Sequence, residues 1–358
     1  MAQAQAQAQD EAAQSAITSP GDEAPHHVRR HYLWSNERRH DLFFGDLKDL
    51  GGGYMGVGGD QNYTLAAAAG SSVMWLIDLD SAVVYMHRLY AALLAISPTP
   101  KDFLAKFERG AQRTVHDAVQ ARYPDEAERR LVLEGYHAYR DLLRDHLRSA
   151  SHGRRGSNWL ADPAKYAHIR DLAMRGRLVA RLGDLTGTGT VLAIADAAKR
   201  AAIPIRAVYL SNAESWFRYG EEFRRNFTAL PFDDKSVIVR TVKSELLGYP
   251  SGDIWHYTIQ LAQNFSKNLG NPSYKSIDVT MTDAVLSKKA GISHVGFPIE
   301  RGMRPVLAQN STTGRETRRS LMAAGLVTRP EGNRERANEM DRDRMRRAAL
   351  ELARSGTP

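Results

Sequence analysis

The chain has 358 residues, 42% hydrophobic and 25% charged, an ordinary globular composition, with no apolar run long enough for a transmembrane helix. It has no cysteine, which excludes disulfides, thiolate catalysis and cysteine-ligated zinc. Of the formal net charge of +8, +6 lies in residues 301–358, where thirteen arginines face seven acids, so the first 300 residues are nearly neutral and a nucleic-acid-binding core is not expected.

Residues 1–28 begin "MAQAQAQAQDEAAQSAITSPGDEAP", a low-complexity stretch without an apolar face, and predict a disordered tail. It lacks a basic n-region and an apolar h-region, so a cytoplasmic protein is expected. The alternative is export, with "AQAQAQ" as the start left by signal-peptide cleavage. Ser35 or Asn36 caps a helix from about Glu37, with Leu42, Phe43 and Leu47 as its apolar stripe. "GYMGVG" reads as a buried strand end, "YTLAAAAG" as a small-residue helix, "SSVMWLIDLD" as a parallel-type strand and "SAVVYMHRLYAALLAI" as a second helix.

From about 100 to 176 the pattern changes to charged amphipathic helices, broken by the polar loop "SHGRRGSNW". Alternation then resumes. "GRLVARLGDLTG" is a strand ending in Gly183-Asp184, "TVLAIADAAKRAAI" a helix, and "PIRAVYLSNAESWF" a strand ending near Ser211-Asn212. "GEEFRRNFTAL" is a helix, "KSVIVRTVK" a strand, and "DIWHYTIQLAQNF" a further strand or a strand passing into a helix. Strand signals stop near 300. The expectation is an α/β domain over 29–300, a doubly wound, mostly parallel sheet with a helical insertion between strands two and three. An arginine-rich helical or disordered extension follows over 301–358.

The stretch "GGGYMGVGGDQNYTLAAAAG" holds six glycines in its first nine positions. Gly51 to Gly53 suit an entry linker, while Gly56, Gly58 and Gly59 suit a turn that lets a ligand approach the backbone. Asp78 follows Gly58 by twenty residues, the spacing at which an acid at the end of the second strand meets a ribose. Asp80 is placed to cap the next helix. The dinucleotide pattern G-x-G-x-x-G fails at Gln61, and Asp60 would repel a pyrophosphate, so an aminated nucleoside without phosphate suits the turn better.

In these motifs the sequence resembles the class I S-adenosylmethionine-dependent methyltransferase superfamily, over about 51–80 and 177–265. "YMGVGGDQN" looks like its first motif, "LIDLD" its second, "LGDLTG" its third, "VYLSNAESWF" its fourth and "SVIVRTVK" its fifth strand. The resemblance implies a Rossmann-like fold and S-adenosylmethionine as cofactor. It implies cofactor contacts by Gly56, Gly58, Gly59, Asp60 and Asn62, by Asp78 on the ribose and Asp184 toward the adenine, and by Ser211 and Asn212 at the mouth. Asp184 reads equally as a turn or helix cap. The segment Trp34 to Glu37 reads as a helix cap or as a cover over the cofactor.

Glu214 or His256 would serve as base where the acceptor must lose a proton. Trp216, Trp255, His256 and Tyr257 line an acceptor pocket or belong to the core. The histidine spacing indicates no metal site. The implied partner is a small or medium-sized acceptor, with the helical insertion as a lid or homodimer surface. The alternative is a non-catalytic binding or assembly protein that keeps the fold.

Overall fold

Short, mostly apolar runs become the centre of the molecule. The computed structural model describes residues 2–28, 30–153, 157–244 and 247–306. The helices expected beyond residue 306 therefore lie outside the described residues. Five strands, β1 (Gly53–Val57), β2 (Val73–Asp78), β3 (Leu178–Leu182), β4 (Ile205–Tyr209) and β5 (Val237–Val242), pair in parallel in the order β3-β2-β1-β4-β5. Then β6 (His256–Leu261), β7 (Val285–Leu286), β8 (Ile292–Val295) and β9 (Arg304–Pro305) extend the sheet in the order β6-β8-β7-β9. β6 runs antiparallel to β5, with His256 opposite Val242, and β8 is parallel to β6. The protein is thus α/β with a mixed, mostly parallel sheet of nine strands among the described residues. The expectation that strands stop near 300 is corrected by β9.

The helices are α1 (Ala2–Thr18), α2 (Phe44–Leu47), α3 (Gln61–Ala69), α4 (Ser81–Ala95), α5 (Pro100–Ala105), α6 (Gln112–Arg122), α7 (Glu126–Ser151), α8 (Pro163–Met174), α9 (Thr190–Arg200), α10 (Glu221–Ala229), α11 (Ala262–Leu269) and α12 (Ile277–Thr282). Strand side chains alternate between two apolar cores. Tyr54, Leu76, Tyr209 and Val239 pack with α3, α4 and the helices of the insertion. Met55, Trp75, Ile77, Val208 and Ile238 pack with α9, α10 and α11. With both faces covered, these strands have no solvent-facing side, which is why their sequences lack polar alternation. Among the described residues no helix is long and apolar enough to cross a membrane.

Between β2 and β3, α5 to α8 follow α4. Thr99 starts α5 with a reciprocal cap to Asp102. α7 buries Val132, Tyr136, Leu143 and Leu147 along one face. Asp80 caps α4 by accepting from the Ala82 N–H at 2.9 Å, as its position before "SAVV" suggested.

The disordered tail expected over 1–28 is corrected. Alanine and glutamine favour helix, and α1 docks on α9 through buried Ala16 and Ile17. The Ile17 carbonyl accepts from Trp75 Nε1 at 3.0 Å. Beyond α1, Leu182 N–H donates to Asp22 and Glu23 N–H to the Leu182 carbonyl, so the segment runs along the free side of β3. One apolar anchor and a few polar contacts hold it, too little to show as an apolar stripe.

Candidate functional site

The strand order reverses between β1 and β4. That reversal marks the C-terminal edge between them as the crevice position, the usual ligand site in open α/β sheets. The segment 31–40, here the strap, crosses this edge on its way to α2.

Glu37 fixes the strap. Its carboxylate is buried and accepts from Ser211 Oγ at 2.7 Å, from Thr241 Oγ1 and from the Tyr209 hydroxyl, and pairs with His40 Nε2 at 2.9 Å. Burial alone would raise its carboxyl, but the His40 and hydroxyl contacts outweigh it and bring it down to about 2. The helix expected from Glu37 starts later, with a 3-10 turn at His40–Phe43, because Glu37 points into the sheet edge. Ser35 Oγ accepts from the Glu37 N–H at 2.9 Å and closes a tight local turn. Ser211 sits at φ +50, a left-handed conformation that costs a non-glycine residue about 1–3 kcal/mol and is held by its neighbours. Here those are Glu37 and the Thr241 N–H, which donates to the Ser211 carbonyl at 2.9 Å.

The glycine turn divides by function. Gly51 and Gly52, at φ +63 and +64, lead into β1 as a linker. Gly58, at φ +82, donates its N–H to Asp78 Oδ2 at 3.0 Å, so the acid twenty residues on faces the turn. The other Asp78 oxygen accepts from the Asp80 N–H at 2.9 Å. Burial, with Asp80 beside it, pushes the Asp78 carboxyl up to about 6 against these N–H contacts. Gly56 and Gly59 meet the chain itself. A Cβ on Gly56 would collide with the Asn62 amide, and one on Gly59 with the strap backbone at Leu33 and Trp34. Asn62 Nδ2 donates to the carbonyls of Val57 and Gly59 at 2.9 and 2.8 Å, and its Oδ1 accepts from Tyr54.

Asp60 was expected to meet an amino group of a ligand. It meets His146 Nε2 at 2.9 Å and Trp159 Nε1 at 3.2 Å instead. Burial raises its carboxyl, but His146 and Trp159 bring it below the usual range. Asp60 thus ties the helical insertion to the glycine turn, and Trp34 stacks on His146 at 4.7 Å between ring centres.

Glu214 and His256 are both closed to solvent. Glu214 is 2.6 Å from Arg240 Nε and accepts from the Tyr219 hydroxyl, and burial raises its carboxyl despite Arg240. His256 bonds the Gly248 carbonyl at 2.7 Å and Ser293 Oγ at 2.9 Å, and burial lowers it to about 4. Neither offers a free base to the crevice. Of the aromatics weighed for an acceptor pocket, Tyr257 and Trp255 are buried and Trp216 is exposed. Asp184 closes a turn by accepting from the Thr186 N–H and hydroxyl, yet stays partly exposed. Asn212 opens a 3-10 turn at 213–215.

Two sets result. Gly58, Asp78, Asp184, Ser211 and Asn212 remain partly exposed at the ends of β1 to β4. Gly56, Gly59, Asp60, Asn62, Glu214 and His256 are buried and bonded or packed within the chain. Glu37, Tyr209, Thr241 and His146 were not singled out in the sequence as site residues on their own. The one signal was the polar-aromatic cluster Trp34 to Glu37 ahead of β1. Among the described residues no group of three or more His, Cys, Asp or Glu side chains is placed to hold a metal.

No curated protein matches the chain. Residues 32–296, from the strap through β8, match the model of the domain of unknown function DUF7790, and the chain belongs to that family.

Proposed function

We propose a methyltransferase-like protein on a doubly wound, Rossmann-like frame, which takes the nucleoside of S-adenosylmethionine at the C-terminal edge of β1 to β4. The observation that carries this reading is the partly exposed set: Gly58, Asp78, Asp184, Ser211 and Asn212 stand at the ends of four adjacent strands beside the order reversal. They fit a nucleoside in chemistry, offering carboxylates for hydroxyl and amino groups, and a glycine at φ +82 for close approach. Asp78 would accept from the ribose, and Ser211 and Asn212 would line the mouth. Bound there, the cofactor supplies a methyl group already activated on a sulfonium. The chain's part is alignment and exclusion of water by the strap. With Glu214 and His256 engaged, the favoured acceptor is a small or medium-sized molecule whose nucleophile does not need either as a base.

Calorimetry with S-adenosylhomocysteine is expected to show binding in about the micromolar range. Asp78→Ala is expected to weaken it at least about tenfold. No heat and no thermal shift with S-adenosylmethionine or its demethylated product at about millimolar concentration would sink the reading.

A second reading, a non-catalytic binding or assembly protein on the same frame, is favoured by one observation. The strap and Asn62 fill the approaches to Gly59 and Gly56 with the chain's own atoms. Cofactor binding absent from the wild type and gained when the strap is loosened by Glu37→Gln would favour it.

A further inference from the structure

Away from the crevice, a cleft of about 420 Å³ opens beside β3, between α4, the end of α6 and the turn after α8. Its lining includes Arg88, Arg122, Arg175 and Arg181 and no acidic residue. Nearby carboxylates answer part of this charge. Arg88, itself 6% exposed, pairs with Asp22 at 2.6 Å and Glu128 at 3.2 Å, and Arg175 pairs with Asp171 at 2.9 Å. Arg122 and Arg181 are in no ion pair among the described residues. Arg122 reaches the Ala173 carbonyl at 3.1 Å and lies over the Tyr123 ring. Arg181 reaches the carbonyls of Thr18, Pro20 and Ala180. The cleft and its surroundings thus hold four arginines against three carboxylates, and one cation remains in excess.

We infer that this cleft is a binding site for a small phosphate-bearing molecule, separate from the crevice at the strand ends. Guanidinium forks match phosphate oxygens two at a time. The volume falls within the range of small-molecule sites, about 300–1,000 Å³, and exceeds what one phosphate group fills. Burial, and then the charge of Arg88, lower the affinity of Arg181 for its proton, and Asp22 and Glu128 offset this only in part.

The test is titration of the full chain with inorganic pyrophosphate, followed by calorimetry and thermal shift. Pyrophosphate is expected to raise the melting temperature, less so at high salt. Arg122→Gln, whose side chain holds no ion pair in the fold, is expected to weaken pyrophosphate at least about tenfold. Arg130→Gln, on the exposed face of α7 with Glu134 as its partner, is the control and should leave affinity unchanged. No response of the wild type, or equal weakening by Arg122→Gln and Arg130→Gln, overturns the inference. Repeating the titration with S-adenosylhomocysteine present separates the two sites, since pyrophosphate binding here should not compete with it.

Discussion

Glu37→Gln is expected to destabilise the protein by about 3 kcal/mol near neutral pH. Two carboxylate oxygens now receive four partners: His40, Tyr209, Ser211 and Thr241. Glutamine keeps one acceptor oxygen and turns an NH₂ donor toward groups that also donate, so at least one hydroxyl is left unmatched. The pH dependence makes the prediction specific. The carboxyl lies at about 2 in the folded protein against an ordinary 4.5, so its contribution is complete above 4.5 and disappears as pH falls through 2. The difference between wild type and variant should therefore narrow across that interval. Denaturation midpoints for both proteins from neutral to acid pH check it. A difference independent of pH would show that the network is not held by an ionised Glu37. His87 and His256, lowered to about 4 from 6.5, weaken both proteins from 6.5 downward. Only the difference between the two curves therefore isolates Glu37.

The second large effect is expected in the other core. Glu214→Gln leaves the Arg240 guanidinium, 0% exposed, without its carboxylate and should cost about 3–5 kcal/mol. Arg240 also donates to Gln260 at 2.6 Å and lies over Phe265, so it cannot swing to solvent. Replacing both partners, Glu214→Leu with Arg240→Met, should recover most of the loss, because apolar groups of similar volume avoid the buried charge. Urea midpoints at unchanged slope provide the measurement. A single-variant loss below about 1 kcal/mol would show that Arg240 finds another partner and that the ion pair is not a closed unit. A large loss also fits Glu214 as a structural acid rather than a base exposed to substrate.

The strands β1 to β5 were legible because each is a short, mostly apolar run bounded by turn residues. The cap at Asp80 was legible because its partner lies two residues away. The same local logic placed Asp78 opposite the glycine turn. Asp60 was misread because its partner, His146, lies 86 residues further on, inside the helical insertion. Glu37 reads in sequence as the start of a helix capped by Ser35 or Asn36, or as part of a cover over the cofactor, since nothing near it announces Tyr209, Ser211 and Thr241. Gly56 and Gly59 were legible as sites of close approach, but sequence could not tell whether a ligand or the chain itself approaches. α1 lacked an apolar stripe, so its docking through Ile17 and Trp75 had no local signature.

The strap imposes an order on biosynthesis. Glu37 is made before its partners: the hydroxyls that receive it come from β4, the turn after it and β5, and the Arg39 N–H waits for the Tyr257 hydroxyl on β6 at 2.8 Å. On a ribosome working from the N-terminus, β1, β2 and the helical insertion can emerge and collapse first. Leu33 and Trp34 can meet the glycine turn and His146 in that interval, but the contacts of Glu37 and Arg39 wait until up to about 220 more residues have followed. During that interval the ionisable Glu37 side chain stays in water. The Glu37 contacts are long-range in sequence, the kind whose loop-closure entropy makes them poor seeds for a fold.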